Sequence, residues 1–383
     1  MSVTAPAGFA AAGIEAGLKH SGGKDVALVV NRGPRFEAAA VFTSNRAKAN
    51  PVLWSERAVA DGVVSAVLLN SGGANCYTGP EGFQTVHVCA EAVGERLEVS
   101  AGDVLICSTG LIGEQLDRQK MLSGIAAAVS ALSSDGGADA ALAIMTTDTR
   151  PKLATAIAEG WSIGGMAKGA GMLAPGLATM LVVITTDAEL PSAELDTALR
   201  SATRVTFDRL DSDGCMSTND TVALLASGAS GVRPSPAEFT AALTSLCADL
   251  ALQLQADAEG ASHDIAIEVV HAASEDDAVA VGRAVARSNL FKAAIFGNDP
   301  NWGRVLAAVG TTDAAFDPYG IDVAINGVRI CHAGQPDQPR ERVDLAGRGV
   351  HVLIDLDAGD ASATILTNDL THDYVHENSA YSS

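Results

Sequence analysis

The apolar residues of the chain follow two kinds of pattern, short continuous runs and longer segments with helical spacing. Continuous apolar runs bounded by Gly, Asn, Asp or Ser are typical of buried strands, and they predict strands at residues 26–30, 38–42, 64–70, 104–107, 181–186 and 265–270. Apolar residues that recur every three to four positions predict helices over residues 83–96, 119–132, 191–203, 234–257 and 276–288.

Between and after these segments the pattern indicates turns. Residues 133–139 (SSDGGAD) predict a turn or a helix cap. The last quarter contains the short runs VAINGV, VHVLIDLD and SATILTND, which predict hairpins. There is no repeat and no low-complexity tract, and the elements together predict an α/β fold with mixed or antiparallel sheets.

Composition supports a folded and tightly packed protein. The 383 residues can form one large domain or two, and 48% of them are hydrophobic while only 4% are aromatic. Small apolar side chains let helices lie close to a sheet. Lys and Arg number 25 and Asp and Glu 46, so the net charge is −21, which argues against nucleic acid or an anionic membrane as a partner and favours solubility.

The cysteines and the N-terminal residues bear on the compartment. None of the six cysteines forms a C-x-x-C pair, which predicts reduced and mostly buried thiols. Residues 1–20 lack the basic region and the continuous apolar run of a signal peptide, and no apolar run approaches the length of a membrane span. We therefore expect a cytoplasmic protein.

A Gly- and Pro-rich loop runs into an apolar strand at residues 168–186, and Thr179 sits at the junction. From the pattern alone, a threonine at the edge of a strand explains this position best. The alternative is that the hydroxyl attacks the carbonyl of Ala178 and cuts the chain by an N-to-O shift and hydrolysis. The freed α-amino group, with a pKa of roughly 7.7–8.0, would then serve as a general base beside its own nucleophile.

Two Ser- and Thr-rich segments also admit two interpretations. Cys107-Ser108-Thr109-Gly110 follows a predicted strand, and it is either a turn with a helix cap or a set of donors for an oxyanion. Residues 146–149 (TTDT) are typical of a capped turn, and they could instead bind a polar ligand.

Two further polar segments favour structural roles. Residues 298–304 (NDPNWGR) predict a tight corner, although Arg304 could hold a carboxylate. Residues 211–214 (DSDG) resemble only a fragment of a calcium loop. The chain has no dinucleotide fingerprint, no P-loop and no Cys/His cluster, so we expect no cofactor and no metal.

Together these motifs resemble the ornithine acetyltransferase, or ArgJ, family of arginine biosynthesis. The resemblance spans nearly the whole chain and rests on AAVFTSNRAKANPV (39–52), LLNSGGANCYTG (68–79), CSTGLIGE (107–114), IMTTDTRPK (144–152), MAKGAGMLAPGLATML (166–181), DSDGCMSTNDT (211–221), GNDPNWGR (297–304) and YVHENSAYSS (374–383). The segments KGAGM-AP-ATML and DPNWGR are highly specific in combination.

The resemblance implies a self-processing enzyme. Its fold would be the DmpA/ArgJ-like α/β sandwich, similar in layout to N-terminal-nucleophile folds. Cleavage between Ala178 and Thr179 would give fragments 1–178 and 179–383, which stay together as an α2β2 heterotetramer. Thr179 would carry acetyl from N2-acetyl-L-ornithine to L-glutamate in a ping-pong reaction, with these small molecules as the substrates and no cofactor.

The same resemblance implies the residues of the site. Thr109 and Gly110 would form the oxyanion hole. Substrate contacts would fall to Thr146, Lys168, Thr179, Glu259, Asn378 and Ser383. Lys168 is a reasonable partner for a carboxylate and Glu259 for the ammonium of ornithine. Members of the family often end in Thr, and Ser383 keeps the hydroxyl.

Other functions remain open at this point. A bifunctional enzyme would also acetylate glutamate from acetyl-CoA. A related self-processing amidohydrolase or aminopeptidase would use water as the acceptor, and a paralogue of secondary metabolism would use another amine. A purely structural or binding role would leave Thr179→Ala without effect.

Overall fold

In the computed structural model, the chain is described over residues 2–172 and 180–380. The strands are, in chain order, β1 (Phe9–Ile14), β2 (Val26–Asn31), β3 (Glu37–Phe42), β4 (Ala66–Ser71), β5 (Val104–Thr109), β6 (Lys152–Ala158), β7 (Trp161–Lys168), β8 (Leu181–Thr186), β9 (Thr221–Ala226), β10 (Asp264–Ala272), β11 (Asp322–Ile325), β12 (Val328–His332), β13 (Gln335–Pro336), β14 (Gly349–Asp355) and β15 (Ala361–Asn368). The helices are α1 (Asn50–Ala58), α2 (Gly79–Leu97), α3 (Arg118–Ser130), α4 (Gly137–Ala143), α5 (Ser192–Val205), α6 (Pro236–Ala256), α7 (Glu275–Ala286), α8 (Asn289–Phe296), α9 (Trp302–Val309) and α10 (His372–Ala380).

The first sheet has the order β1-β2-β4-β5, and its last two strands are parallel. Successive residues of a strand point to opposite faces, so an all-apolar strand serves two cores. Leu68 packs in the same core as residues of α2 and α3, while Leu69 packs in a core shared with the second sheet. The continuous apolar run of β4 therefore follows from burial on both faces.

The second sheet has the order β3-β9-β8-β7-β6. Val182 and Ile184 of β8 pack with residues of α5 and α6, whereas Leu181 and Val183 share a core with Leu69 of the first sheet. The two sheets thus face each other, with helices on both outer sides. The result is a four-layer αββα sandwich, and the α/β sandwich expected from the sequence is confirmed.

A third sheet, β13-β12-β11-β14-β10-β15, forms its own core with α7, α8 and α9. It is connected to the second sheet by α6, which leads by a short loop into β10, and Leu366 of β15 forms an isolated bridge with Leu210, which packs in the core of the second sheet. The loop after α6 carries Asp257 and Glu259, and the fold brings it to the end of β7.

The predicted helices correspond to α2, α3, α5, α6 and α7, and the predicted strands to β2, β3, β4, β5, β8 and β10. The hairpin between β11 and β12 is also confirmed. The prediction that the segments of β14 and β15 form hairpins was wrong. Strand β10 lies between them, parallel to β14 and antiparallel to β15, and its alternate residues Ile265, Ile267 and Val269 are buried in the core of this sheet.

The turn or helix cap predicted at residues 133–139 is confirmed, since residues 133–136 form a turn that leads into α4 at Gly137. The corner predicted at residues 298–304 is correct only in part. Residues 298–301 form the predicted corner, but α9 begins at Trp302 because the Asn301 side chain accepts a hydrogen bond from the Arg304 N–H at 3.2 Å and caps the helix.

The cysteine prediction also agrees with the fold. All six cysteines are free thiols, and Cys76, Cys89, Cys107, Cys247 and Cys331 are buried. Cys215 is exposed. No helix in residues 2–172 and 180–380 is long and apolar enough to cross a membrane.

Helix α4 lies so close to β1 that Gly13 has no room for a side chain. A Cβ at Gly13 would lie 1.9 Å from the Asp139 carbonyl oxygen. We expect Gly13→Ala to lower the free energy of unfolding by about 1–3 kcal/mol, because the helix backbone must move away from the strand.

Urea unfolding followed by circular dichroism measures this effect. Gly349→Ala is the matched control, since a Cβ there meets nothing within 4 Å. Equal stability of the two variants would contradict the close contact between α4 and β1.

Candidate active site

Thr109 and Gly110 lie where β5 ends and the chain turns against a second loop. Gly110 has φ 126°, and a Cβ there would lie 2.5 Å from the backbone nitrogen of Gly73. The Gly73 N–H in turn donates to the Thr109 carbonyl at 3.0 Å. Only glycine fits this backbone, so the end of β5 is fixed in one conformation.

Lys168, the last residue of β7, connects the two facing sheets. Its side chain is almost fully buried, with 1% of the residue exposed. Its Nζ donates to Thr146 Oγ1 at 2.8 Å and to Thr109 Oγ1 at 3.2 Å. Burial lowers the pKa of Lys168, although Asp148 opposes this. The Lys168 ammonium thus brings together three of the residues predicted for the site, Lys168 itself and the two threonines that accept its hydrogen bonds.

Asp148 links the segments that carry these groups. It accepts hydrogen bonds from the Gly169 N–H at 2.7 Å, the Thr146 N–H at 3.0 Å and Lys152 Nζ at 2.5 Å. It also lies 4.0 Å from Lys168 Nζ. Burial alone would raise the pKa of Asp148, but Lys168, Lys152 and the Gly169 N–H outweigh it, so the pKa lies below its ordinary value.

Lys152 extends this network to the loop after α6. It is fully buried, and its Nζ lies 2.5 Å from both Asp148 Oδ1 and Asp257 Oδ2. Asp257 also accepts hydrogen bonds from the N–H and the hydroxyl of Thr149. Lys152, Lys168, Asp148 and Asp257 therefore form a buried network of two cations and two anions, hereafter the charge network, which ties β6 and β7 to the loop that carries Glu259.

Glu259 lies against the loop that follows Lys168. Its N–H donates to the Ala170 carbonyl at 3.0 Å. A Cβ at Gly171 would lie 2.6 Å from the Glu259 carboxylate, so a larger residue there would displace the end of the Glu259 side chain. The Nδ2 of Asn378, on α10, donates to Glu259 Oε2 at 2.9 Å. Glu259 and Asn378, both predicted to contact substrate, are thus in contact with each other beside this loop.

Ala178, Thr179 and Ser383 lie outside the described residues, but Met180 anchors the chain directly after Thr179. The Met180 N–H donates to Asp220 Oδ1 at 3.1 Å. Asp220 is fully buried, and this burial raises its pKa well above the ordinary value despite the hydrogen bond from Met180. A neutral carboxyl can hold the backbone at residue 180 without an ionised partner.

The other polar residues singled out in the sequence, Arg304, Asp211 and Asp213, form their hydrogen bonds and ion pairs with groups other than Lys168. The Arg304 side chain donates to the Leu290 carbonyl at 2.6 Å. Asp211 pairs with Arg287 at 2.8 Å, and Asp213 accepts from the backbone N–H groups of Met172 and Cys215. No group of three or more Asp, Glu, His or Cys side chains in the described ranges could hold a metal ion.

Sequence reasoning did not identify Asp148, Lys152, Asp257 and Asp220 as parts of the site. Asp148 stands inside the TTDT segment, where a carboxylate two residues after a threonine is typical of a simple turn. Its partner Lys152 pairs with Asp257 across 105 residues of sequence, and no local pattern reveals such a contact. A hint was available in Lys152 itself, which opens an otherwise apolar strand.

Comparisons with known proteins agree on one family. The model of the ArgJ family matches residues 10–383. The arginine biosynthesis bifunctional protein ArgJ of Streptomyces coelicolor is 64% identical over 383 residues, which is the whole of both chains. That of Mycobacterium leprae is 55% identical over 389 residues, covering 100% of this chain and 96% of its own.

Solved structures are also similar. Ornithine acetyltransferase from Mycobacterium tuberculosis, in complex with ornithine, is 50% identical with a TM-score of 0.45, and the match covers 47% of this chain and 96% of that one. The arginine biosynthesis bifunctional protein ArgJ of Bacillus halodurans is 35% identical with a TM-score of 0.49, covering 51% and 97%.

The charge network yields a prediction on stability. Lys152→Met leaves Asp148 and Asp257 buried without the cation that they share. We expect the free energy of unfolding to fall by about 3–5 kcal/mol, as measured by urea unfolding.

Lys24→Met is the matched control, because Lys24 pairs with Asp139 at 3.4 Å near the surface and should contribute about 0–1 kcal/mol. Losses of the same size in the two variants would contradict the role of Lys152. Replacing Asp148 and Asp257 by Asn as well should recover part of the loss.

Asp220 yields a prediction on pH. Since its pKa is raised in the folded state, the folded protein holds a proton that the unfolded chain releases. The stabilising contribution is complete below the ordinary aspartate pKa and is lost as the pH rises through the folded pKa, at about 1.4 kcal/mol per pH unit.

Asp220→Asn keeps the shape and cannot ionise. Its free energy of unfolding relative to the wild type should therefore increase as the pH rises across this range. Denaturant unfolding at several pH values measures the difference, and Asp135→Asn, on the surface, controls for the loss of one carboxyl group. A difference that stays constant with pH would show that Asp220 is not protonated in the fold.

Proposed function

The chain belongs to the ArgJ family, and we propose that it transfers acetyl from N2-acetyl-L-ornithine to L-glutamate through an acetyl ester on Thr179. Membership makes it an acyltransferase of arginine biosynthesis. The observation that supports the finer proposal is the position of Lys168, which hydrogen-bonds both Thr109 and Thr146 at the start of the segment that contains Thr179.

The pairing of β7 with β8 favours self-cleavage that leaves the two fragments together. Lys168 and Leu181 are register partners, so residues 169–180 connect neighbouring antiparallel strands. Cleavage between Ala178 and Thr179 would cut only this connection. Strands β3, β6 and β7 of fragment 1–178 and strands β8 and β9 of fragment 179–383 would remain hydrogen-bonded in one sheet.

In the first half-reaction the Thr179 hydroxyl adds to the acetyl carbonyl of N-acetylornithine, and its proton passes to the α-amino group of Thr179. The oxyanion would accept hydrogen bonds from the Thr109 hydroxyl and the Gly110 N–H. Lys168 donates to Thr109 Oγ1, which leaves the Thr109 hydrogen free to donate to the oxyanion. The C–N bond then breaks, the proton moves to the departing amine, and ornithine leaves.

In the second half-reaction the free amine of glutamate attacks the acetyl ester and gives up a proton to the same α-amino group. The ester C–O bond breaks, the Thr179 hydroxyl is restored, and N-acetylglutamate leaves. One amide replaces another, so the exchange is nearly isoenergetic and needs neither ATP nor a cofactor.

The remaining predicted residues would bind the substrates. Thr146 and Lys168 lie beside Thr109, where a carboxylate could accept from the ammonium. Glu259, held by Asn378, offers an anion for the ammonium of ornithine. We assign Ser383 to the closure of the same pocket. By family resemblance we further propose an α2β2 heterotetramer of the two fragments, located in the cytoplasm.

A bifunctional activity is the second candidate, because the similar proteins from Streptomyces coelicolor and Mycobacterium leprae are named bifunctional. In that case acetyl-CoA would also acylate Thr179. A hydrolytic enzyme would instead release acetate.

An assay with purified protein separates these functions. With N-acetylornithine and glutamate we expect equimolar ornithine and N-acetylglutamate, with little free acetate. Formation of N-acetylglutamate from acetyl-CoA would establish the bifunctional enzyme. Release of acetate at the same rate with and without glutamate would contradict acetyl transfer.

Intact mass spectrometry tests the cleavage. The wild type should give two species, residues 1–178 and 179–383, whereas Thr179→Ala should remain a single chain of 38.9 kDa without acetyl-transfer activity. Thr179→Ser keeps a hydroxyl and should still be cut. An uncut wild-type chain that is active would overturn the role of Thr179.

A further inference from the structure

A cavity of about 230 Å³ is lined by Glu259 and by Ala170, which belongs to the loop after Lys168. The residues that line it carry both charges, namely Asp213, Glu259, Lys292 and Asp369, together with Ala170 and Tyr374. Ala170 is two residues from Lys168, so the cavity begins close to the group that contacts Thr109 and Thr146. Neither the predicted site nor the charge network includes Lys292.

Lys292, on α8, is the basic side chain of this cavity. It is buried, with 6% of the residue exposed. Among the described residues its ammonium donates one hydrogen bond, to the Ser212 carbonyl. An ammonium has three N–H donors, so two remain for a ligand in the cavity. Burial lowers the pKa of Lys292, and the nearby carboxylates of Asp213, Asp211 and Asp369 oppose this shift, so its charged form depends on acidic partners.

The cavity also contains acidic residues, and Asp213 lies close enough to Lys292 for the charge of each to act on the pKa of the other. Asp213 is held by the N–H groups of Met172 at 2.7 Å and Cys215 at 3.0 Å, and burial raises its pKa. Glu259 Oε2 accepts from Asn378, which leaves Oε1 for another donor. Met172 belongs to the loop after Lys168, so its hydrogen bond ties Asp213 to that loop.

The side chains of the two proposed substrates end in groups of opposite charge, and both must fit in the same part of the site. The δ-ammonium nitrogen of ornithine and the γ-carboxylate oxygens of glutamate are separated from Cα by the same number of bonds. A ping-pong enzyme that presents both α-nitrogens to one Thr179 hydroxyl must therefore receive a cation and an anion in the same region, in turn. A wall of one sign would repel one of the two substrates.

We propose that Lys292 is the specificity residue for glutamate and binds its γ-carboxylate in this cavity, while Glu259 and Asp213 receive the δ-ammonium of ornithine. This inference rests on the proposed acetyl transfer. The cavity accepts either substrate because each finds a residue of opposite charge among those that line it.

The test compares glutamate with glutamine, which has the same shape without the charge, as acceptors from the acetylated enzyme. The wild type should prefer glutamate in kcat/KM. In Lys292→Met the kcat/KM for glutamate should fall roughly 10- to 100-fold because KM rises. The kcat/KM for glutamine should change little, so the preference for glutamate should disappear. Acetylation by N-acetylornithine should continue, and Lys292→Arg should keep most of the preference.

The complementary variant is Asp213→Asn. It should weaken the binding of N-acetylornithine, seen as a higher KM, and leave the preference for glutamate over glutamine unchanged. A Lys292→Met enzyme that acetylates normally and still prefers glutamate by the wild-type ratio would overturn the inference. A merely structural lysine would alter the rates with both acceptors equally and leave their ratio unchanged.

If Lys292→Met does not fold, the proposal can be tested on the wild-type protein. A crystal structure with N-acetylglutamate should place the γ-carboxylate within hydrogen-bonding distance of Lys292 Nζ, and a carboxylate bound elsewhere would overturn the inference. Absence of any acetyl transfer in the wild type would instead refute the proposed function itself.

Discussion

The site depends on one buried ammonium group, that of Lys168, and on the charges that make its burial possible. A lysine with 1% exposure is unstable in an apolar interior unless anions and acceptors surround it. Here Asp148 supplies the nearby anion, and Lys152 and Asp257 balance it. Because these four residues come from β6, β7 and the loops beside them, their pairing fixes the positions of Thr146, Gly169 and Glu259 at once. Thr109, from the opposite sheet, then meets Lys168 at a defined place.

The layered fold explains how such a site can tolerate a break in the chain. Residues 169–180 connect two strands that are already paired, and Met180 is held by Asp220 on the far side of the junction. The second sheet draws strands from both sides of the proposed cleavage point, so its hydrogen bonds and both of its cores would persist after cleavage. The cores hold both ends of this connection, which favours association of the two fragments after cleavage.

The sequence predicted the apolar elements well and the polar network poorly, for a physical reason. Strand β8 and helix α6 carry their burial in local patterns, LVVITT and a long helical repeat. Strand β7 was missed because Gly164 and Gly165 interrupt its apolar run. Gly164 is needed there, since a Cβ would lie 2.1 Å from the Ser2 carbonyl oxygen. The pairing of Lys152 with Asp257 and the burial of Lys292 arise only from the tertiary fold. Thr109, Gly110, Thr146, Lys168, Glu259 and Asn378 came from family resemblance, and their roles stay predictions.

The most direct test of the account is to trap the acetylated enzyme. The purified protein is incubated with N-acetylornithine in the absence of glutamate, quenched in acid and analysed by intact and peptide mass spectrometry. The account predicts one acetyl group on the fragment that begins at residue 179, located on the Thr179 side chain and removed when glutamate is added. Transfer of acetyl to glutamate without any acetylated enzyme, or with the acetyl group on another residue, would contradict it.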